Sequence, residues 1–194
     1  MERHSKLLSN PDGSDPRSDL FVWIDMEMTG LNVEHDRILE IAVVITDERL
    51  SPIAEGPDLV LNQPDDLLDG MDEWNTSHHG ESGLTKQVRA SKITDAEAER
   101  QVLEFLHGYC VPNTALLCGN SVWQDRRFIA RYMKDLDEFL HYRIIDVSTV
   151  KELARRWRPQ AFDLAPQKQE AHRALDDIRE SIVELKHYRR SLFL

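Results

Sequence analysis

The stretch "FVWIDMEMTG", residues 21–30, opens as a buried strand and then sets two acids where its apolar run ends. In an extended chain, side chains two apart share a face. Asp25 and Glu27 therefore project together, about 6–7 Å apart along the strand. Carboxylates that close oppose each other's ionisation unless a cation lies between them. Hard divalent cations such as Mg2+ take carboxylate oxygens. The pair is thus either part of a metal site or a solvated pair at a strand end, and further ligands elsewhere in the chain have to decide between the two.

The first strand covers residues 20–25. Two more β-rich runs, 38–46 and 53–61, follow on either side of a turn at 47–52. Together they predict a three-stranded antiparallel meander. Residues 65–83 are acidic and punctuated and read as a loop or short helix. Residues 94–109 place Ala98, Val102, Phe105 and Leu106 on one helical face, with Thr94 and Glu97 as a capping box. A short strand at 114–119 leads into a helix over 122–136, and "RIIDVST" (143–149) is a strand feeding a helix over 150–157. A loop over 158–169 and a long helix from 170 to about 192 complete the chain. Helices between the later strands let those strands pair in parallel. The expected class is α/β: a mixed five-stranded sheet, part antiparallel meander and part parallel, flanked by helices.

At 194 residues the chain suits one domain with a substantial core. Residues 1–19 are polar and turn-rich and read as a flexible N-terminal extension, leaving 20–194 as a single domain. No apolar run approaches the ~20 residues of a membrane span, and the first residues lack the apolar middle of a signal peptide. Two cysteines without CxxC spacing suggest neither a zinc site nor a disulfide framework, so a reducing, cytoplasmic setting is expected. Net charge is −11, unevenly spread: residues 1–124 hold 9 Lys and Arg against 23 Asp and Glu, and residues 125–194 hold 15 against 12. A protein tracking a long nucleic acid needs a broad basic surface. If the substrate is nucleic acid, it is short, with metals and a few basic side chains handling its phosphates.

Two further acids stand out. Asp125, in "GNSVWQDRRF", begins a helix, and Asp177, in "HRALDDIRES", falls inside the last one. Aspartate is a poor former of helix interiors, so both call for a reason. His172 precedes Asp177 by five positions. On a helix that is about 500°, so the two side chains differ by roughly 140° around the axis. They suit different roles in one cleft better than joint ligation of one ion.

Asp25, Glu27, Asp125, His172 and Asp177 together resemble the three motifs of the DEDD 3′–5′ exonuclease superfamily, in the branch with His-x4-Asp in its third motif. "WIDMEMTGL", "ILEIAVVITD", "AEGPDLVL", "HHGESGLT", "CGNSVWQDRRF", "HYRIIDVSTVKELARRW" and "AHRALDDIRESIVELKHYR" resemble the oligoribonuclease family from Phe21 to the C-terminus. The resemblance implies a ribonuclease H-like fold and 3′–5′ hydrolysis of short oligoribonucleotides, especially dinucleotides, to 5′-mononucleotides. It implies that Asp25, Glu27, Asp125 and Asp177 hold two divalent cations, Mg2+ or Mn2+. His172 then acts as the general base, a task its ordinary pKa near 6.5 suits. By the same resemblance Leu31 wedges between bases and Trp74 stacks on one. Ser121, Arg143 and Ser148 cap a 5′ phosphate, and Tyr142 and Arg143 reach across a homodimer interface. His79 is a further candidate for a substrate contact, outside the expected site residues, and Asp176 is left outside the site. A trimming or proofreading exonuclease of the same branch would be expected to carry a basic track for a longer strand. A non-catalytic RNA-binding module has little need for four converging acids, and no recognition motif of a phosphatase or nucleotide diphosphatase is present.

Overall fold

The computed structural model describes Gly13, residues 15–167 and residues 173–193. Among these residues five strands form one sheet of order β3-β2-β1-β4-β5: β1 Phe21–Met28, β2 Ile38–Thr46, β3 Pro52–Val60, β4 Leu116–Gly119 and β5 Ile144–Asp146. β1–β2 and β2–β3 are antiparallel, and β1–β4 and β4–β5 are parallel. This is the mixed α/β sheet expected from the sequence.

β2 lies second in the sheet and is buried along its whole length. Its two faces feed two cores. Ile38, Ile41, Val43 and Ile45, with Val22, Ile24 and Met26 of β1, pack on Ala98, Val102, Leu106, Phe128 and Ile129. Trp23, Ala42 and Val44 look the other way, onto Ala174, Ile178 and Ile182. The first group of partners comes from helices α4 (Asp95–Tyr109) and α5 (Trp123–Tyr132), and the second from the C-terminal helix.

Several elements differ from the sequence reading, each for a local reason. β1 continues three residues beyond its apolar run, because Met26 and Met28 keep facing inward and β2 keeps pairing, Asp25 opposite Ala42 and Glu27 opposite Glu40. The acids therefore lie within the strand, not past its end. Residues 65–90 form three short helices, α1 Asp65–Asp69, α2 Glu73–Glu81 and α3 Leu84–Ala90. The helix expected over 122–136 breaks at buried Met133, and α6 (Lys134–Phe139) starts afresh. Glu99 of α4 causes the restart, its carboxylate accepting the Asp135 and Leu136 N–H groups. Asp146 ends β5 by accepting the Ser148 N–H, so α7 (Val147–Trp157) begins earlier than expected. Pro159 starts a one-turn helix, α8 (Pro159–Asp163), inside the expected loop. α9 spans Ala174–Tyr188 and ends in a π turn, Arg189–Phe193. Of the expected extension, Arg17 bridges Cys110 in parallel, while residues 1–12 and 14 lie outside the described residues.

Candidate active site

Strand periodicity places Asp25 and Glu27 on the face that carries Trp23, which is the face α9 covers. Asp177 projects from the first turn of α9 into the same space. Carboxylate oxygens of Asp25, Glu27 and Asp177 lie within 4.8 Å of one another.

Asp125 arrives from the other side. β4 pairs with β1 only as far as Trp23, so the β1 edge beyond it lacks a strand partner on that side. At Gly119 the chain passes so close that a Cβ would sit 3.1 Å from the Ile24 carbonyl oxygen. It then turns through Ser121, at φ 51°, into α5. Asp125, in the first turn of α5, takes the place of the missing strand: its Oδ1 accepts the Met26 N–H at 3.1 Å. Asp125 and Asp177 are thus first-turn residues, not interior ones. There, unpaired N–H groups and the positive end of the helix dipole favour a carboxylate.

The electrostatics are those of a site short of positive charge. Burial, followed by the charges of Asp25, Asp177 and Glu40, pushes the Glu27 carboxyl up to about 9, against the pull of Arg173. Burial and then the Asp25 carboxylate push Asp125 well above the usual carboxylate range. An all-oxygen donor set of this kind fits a hard divalent cation such as Mg2+ or Mn2+.

Two neighbours of the acids are not among the expected site residues. His79 is buried, with Nε2 2.9 Å from the Met28 carbonyl oxygen and Nδ1 3.9 Å from the Glu27 carboxylate. Glu40, opposite Glu27 in the sheet, is 0 % exposed and forked by Arg173: Nε lies 2.9 Å from Oε1 and Nη2 lies 2.5 Å from the same oxygen. A signal was present in the sequence. Glu40 is the single acid in the apolar run "ILEIAVVIT", and a glutamate is almost never fully buried unless paired.

Of the remaining expected residues, Leu31 and Trp74 form a rim beside the acids. A cavity of about 460 Å³ is lined by Met26, Glu27, Met28, Gly30, Leu31 and Trp74, among others. Leu31 is 66 % exposed and Trp74 61 %, so neither is a core residue. Asp36 holds the Leu31 turn by accepting from the Thr29 hydroxyl and the Asn32 N–H, close enough to Gly30 that a Cβ there would collide with it at 2.5 Å. Trp74 stacks on His78 with ring centroids 4.3 Å apart. A second, open cleft of about 410 Å³ holds Ser121 and Ser148, with Arg156 as a further basic lining residue. The Ser121 N–H donates to the Ser148 hydroxyl and the Asp146 carboxylate, and Asn120 Oδ1 accepts from the Ser148 hydroxyl. Arg143 is not among the residues lining that cleft. Its guanidinium lies 4.8 Å over the ring of Tyr142, which is itself 71 % exposed. Asp176 pairs with Arg179 at the surface. His172 lies outside the described residues.

Comparison with known proteins gives a consistent family. A family model described as Exonuclease matches residues 22–185. The chain is 60 % identical over 169 residues to an oligoribonuclease of Halorhodospira halophila, covering 87 % of this chain and 92 % of that one. It is 57 % identical over 175 residues to one of Marinobacter nauticus, covering 90 % and 97 %. To a human mitochondrial oligoribonuclease it is 54 % identical over 172 residues, covering 89 % and 73 %. Among solved structures, exonuclease I from Methylocaldum szegediense matches with a TM-score of 0.68 at 19 % identity, over 89 % of this chain and 41 % of that one. Escherichia coli exonuclease I in complex with a dA16 oligonucleotide matches at 0.70 and 17 %, over 90 % and 41 %. The chain spans about two fifths of those longer proteins and shares with them the ribonuclease H-like exonuclease fold.

Proposed function

Because this chain belongs to the oligoribonuclease family of exonucleases, we propose that it is a 3′–5′ exoribonuclease that hydrolyses short RNAs, dinucleotides above all, to 5′-mononucleotides. The observation that carries this reading is the convergence of Asp25, Glu27 and Asp177 within 4.8 Å, beside a buried Asp125. Two divalent cations, Mg2+ or Mn2+, held by these four acids would supply the charge that offsets the attacking and departing oxygens of the phosphodiester.

The chain's own residues do the rest. The Met26 N–H orients Asp125 before substrate arrives, and buried His79 lies 3.9 Å from the Glu27 carboxylate. His172 accepts the proton of the attacking water. Leu31 and Trp74, exposed beside the acids, separate and stack the bases without reading their edges, since every base has a π-face. Ser121 and Ser148 close on the 5′ phosphate. Arg143 completes that cap from a second subunit of a homodimer, which accords with its stacking on exposed Tyr142 rather than lining its own chain's cleft. Residues 20–194 form the exonuclease domain and 1–19 an extension. Among the described residues no helix is long and apolar enough to cross a membrane, and a cytoplasmic setting is proposed. The acidic balance of residues 1–124 disfavours longer strands as substrates.

The test is hydrolysis of a 5′-phosphorylated RNA dinucleotide and of a 3′-end-labelled tetramer by purified protein. Release of 5′-mononucleotides from the 3′ end, abolished by chelator and restored by Mg2+ or Mn2+, is expected. Full turnover in chelator, or release from the 5′ end, would overturn the reading.

A further inference from the structure

The Glu40–Arg173 pair lies outside the four proposed ligands, yet it touches the start of the helix that carries one of them. We propose that it positions the catalytic centre: Glu40 anchors the N-terminus of α9 and thereby sets where Asp177 meets Asp25 and Glu27. The proposal rests on the nuclease reading above.

Three observations support it. Arg173 is the N-cap residue of α9 and makes no side-chain cap of its own. Glu40, 133 residues away in β2, does that work instead: its Oε2 accepts the Ala174 N–H at 3.3 Å, while its oxygens grip the Arg173 guanidinium on both sides. Glu40 is also the residue opposite Glu27 in the β1–β2 ladder. One carboxylate therefore ties the start of α9 to the strand position across from a proposed ligand. Asp177 follows one turn later, its N–H bonded to the Arg173 carbonyl at 3.0 Å, so a shift of Arg173 carries Asp177 with it. His172 precedes Arg173 in the chain.

The alternative is a purely structural ion pair. A buried pair contributes little net stability over an apolar pair of similar volume, whereas removing a single partner is strongly destabilising. A double replacement therefore separates the two roles. In Glu40→Met/Arg173→Met the melting temperature of the cation-free protein should stay within a few degrees of the parent. Losing a partner that orients a metal ligand, by contrast, typically costs about 10–100-fold in metal affinity or activity.

The experiment measures three quantities on the full chain: the cation-free melting temperature, Mn2+ affinity by calorimetry without RNA, and kcat and KM for a 5′-phosphorylated RNA dinucleotide. The double variant is expected to fold, to bind Mn2+ about 10–100-fold more weakly and to lose kcat by a similar factor, with KM little changed. Arg173→Lys, which keeps the charge but not the fork, should fall between the two. Arg179→Met, which removes the exposed α9–β3 pair with Glu55, should match the parent in all three. A folded double variant with parental Mn2+ affinity and kcat would overturn the proposal. If the double variant does not fold, Arg173→Lys decides: a loss of Mn2+ affinity and kcat at parental melting temperature supports positioning, and parental values overturn it. A parent that hydrolyses RNA in chelator would instead remove the metal-dependent reading on which the proposal rests.

Discussion

At the carboxylate centre every group is held by protein: Asp125 by a backbone N–H, Glu27 beside buried His79, the start of α9 by Glu40. Beside it, Leu31 and Trp74 turn large apolar surfaces to solvent. The first region is over-determined by the fold and accumulates like charge there. The second is positioned at the backbone, by the Asp36-held turn and the short helix α2, but its side chains have little protein to pack on. Carboxylates this close oppose one another's ionisation, and a cation between them would relieve that repulsion. Exposed aromatic faces offer a surface on which a base can stack. On the proposed function, the centre carries the chemistry and the rim the choice of substrate.

The largest effect expected under this division comes from the centre. Asp25→Asn or Asp125→Asn should lower kcat by at least ~10⁴-fold, with the fold retained because each change relieves repulsion. Stopped assays alongside thermal melts check both parts. A variant that loses KM and keeps kcat would move that acid to the rim. His172→Ala comes next, with a loss of about 10²–10⁴-fold in kcat, the usual range for a general base, and Mn2+ binding retained. Lost Mn2+ affinity with an unchanged rate per bound ion would make it a ligand.

Rim substitutions should act on binding. A charge-assisted hydrogen bond is worth about 1.5–3 kcal/mol, so Arg143→Ala should raise KM for a 5′-phosphorylated dinucleotide about ten- to a hundred-fold. Mixing Arg143→Ala with Asp25→Asn should restore part of the activity if Arg143 serves its partner's site. No recovery in verified mixed dimers would return it to its own.

A further effect is read on stability rather than on rate or binding, and it belongs to the centre alone. In the cation-free protein Glu27 keeps its proton up to about pH 9, whereas unfolded it loses it near its ordinary value of 4.5. The folded state binds more protons throughout that window, so stability falls as pH rises from about 4.5 to 9. Asp125 acts in the same direction. Urea melts in chelator at pH 5.5 and 8.5 should show the loss, and saturating Mn2+ should flatten it. A rise in stability with pH in chelator would contradict the charge-starved centre.

The sequence made the centre legible where local periodicity carries it. Asp25 and Glu27 share a face by the period-two rule, and β2 announces itself as a long apolar run. In the sequence Asp125 stands out at a helix start and Asp177 inside a helix, and the fold makes both ordinary first-turn residues. A shift of a few residues in where a helix starts changes the physical account without changing the residue. Glu40 with Arg173 and Glu99 with Asp135 escaped because each joins groups far apart in the chain. No local pattern encodes such a contact. His79 was visible beside His78, but only the packing of α2 against β1 shows that it faces Glu27.

The most direct test of the division between centre and rim is kcat/KM for 5′-phosphorylated RNAs of two to seven nucleotides, measured on one preparation with Mg2+. A cap closed on the 5′ phosphate leaves each added nucleotide to displace it, so the dinucleotide should be turned over fastest and efficiency should fall steeply with length. Equal efficiency from two to seven nucleotides would contradict the account, leaving the acidic centre without a rim that chooses its substrate.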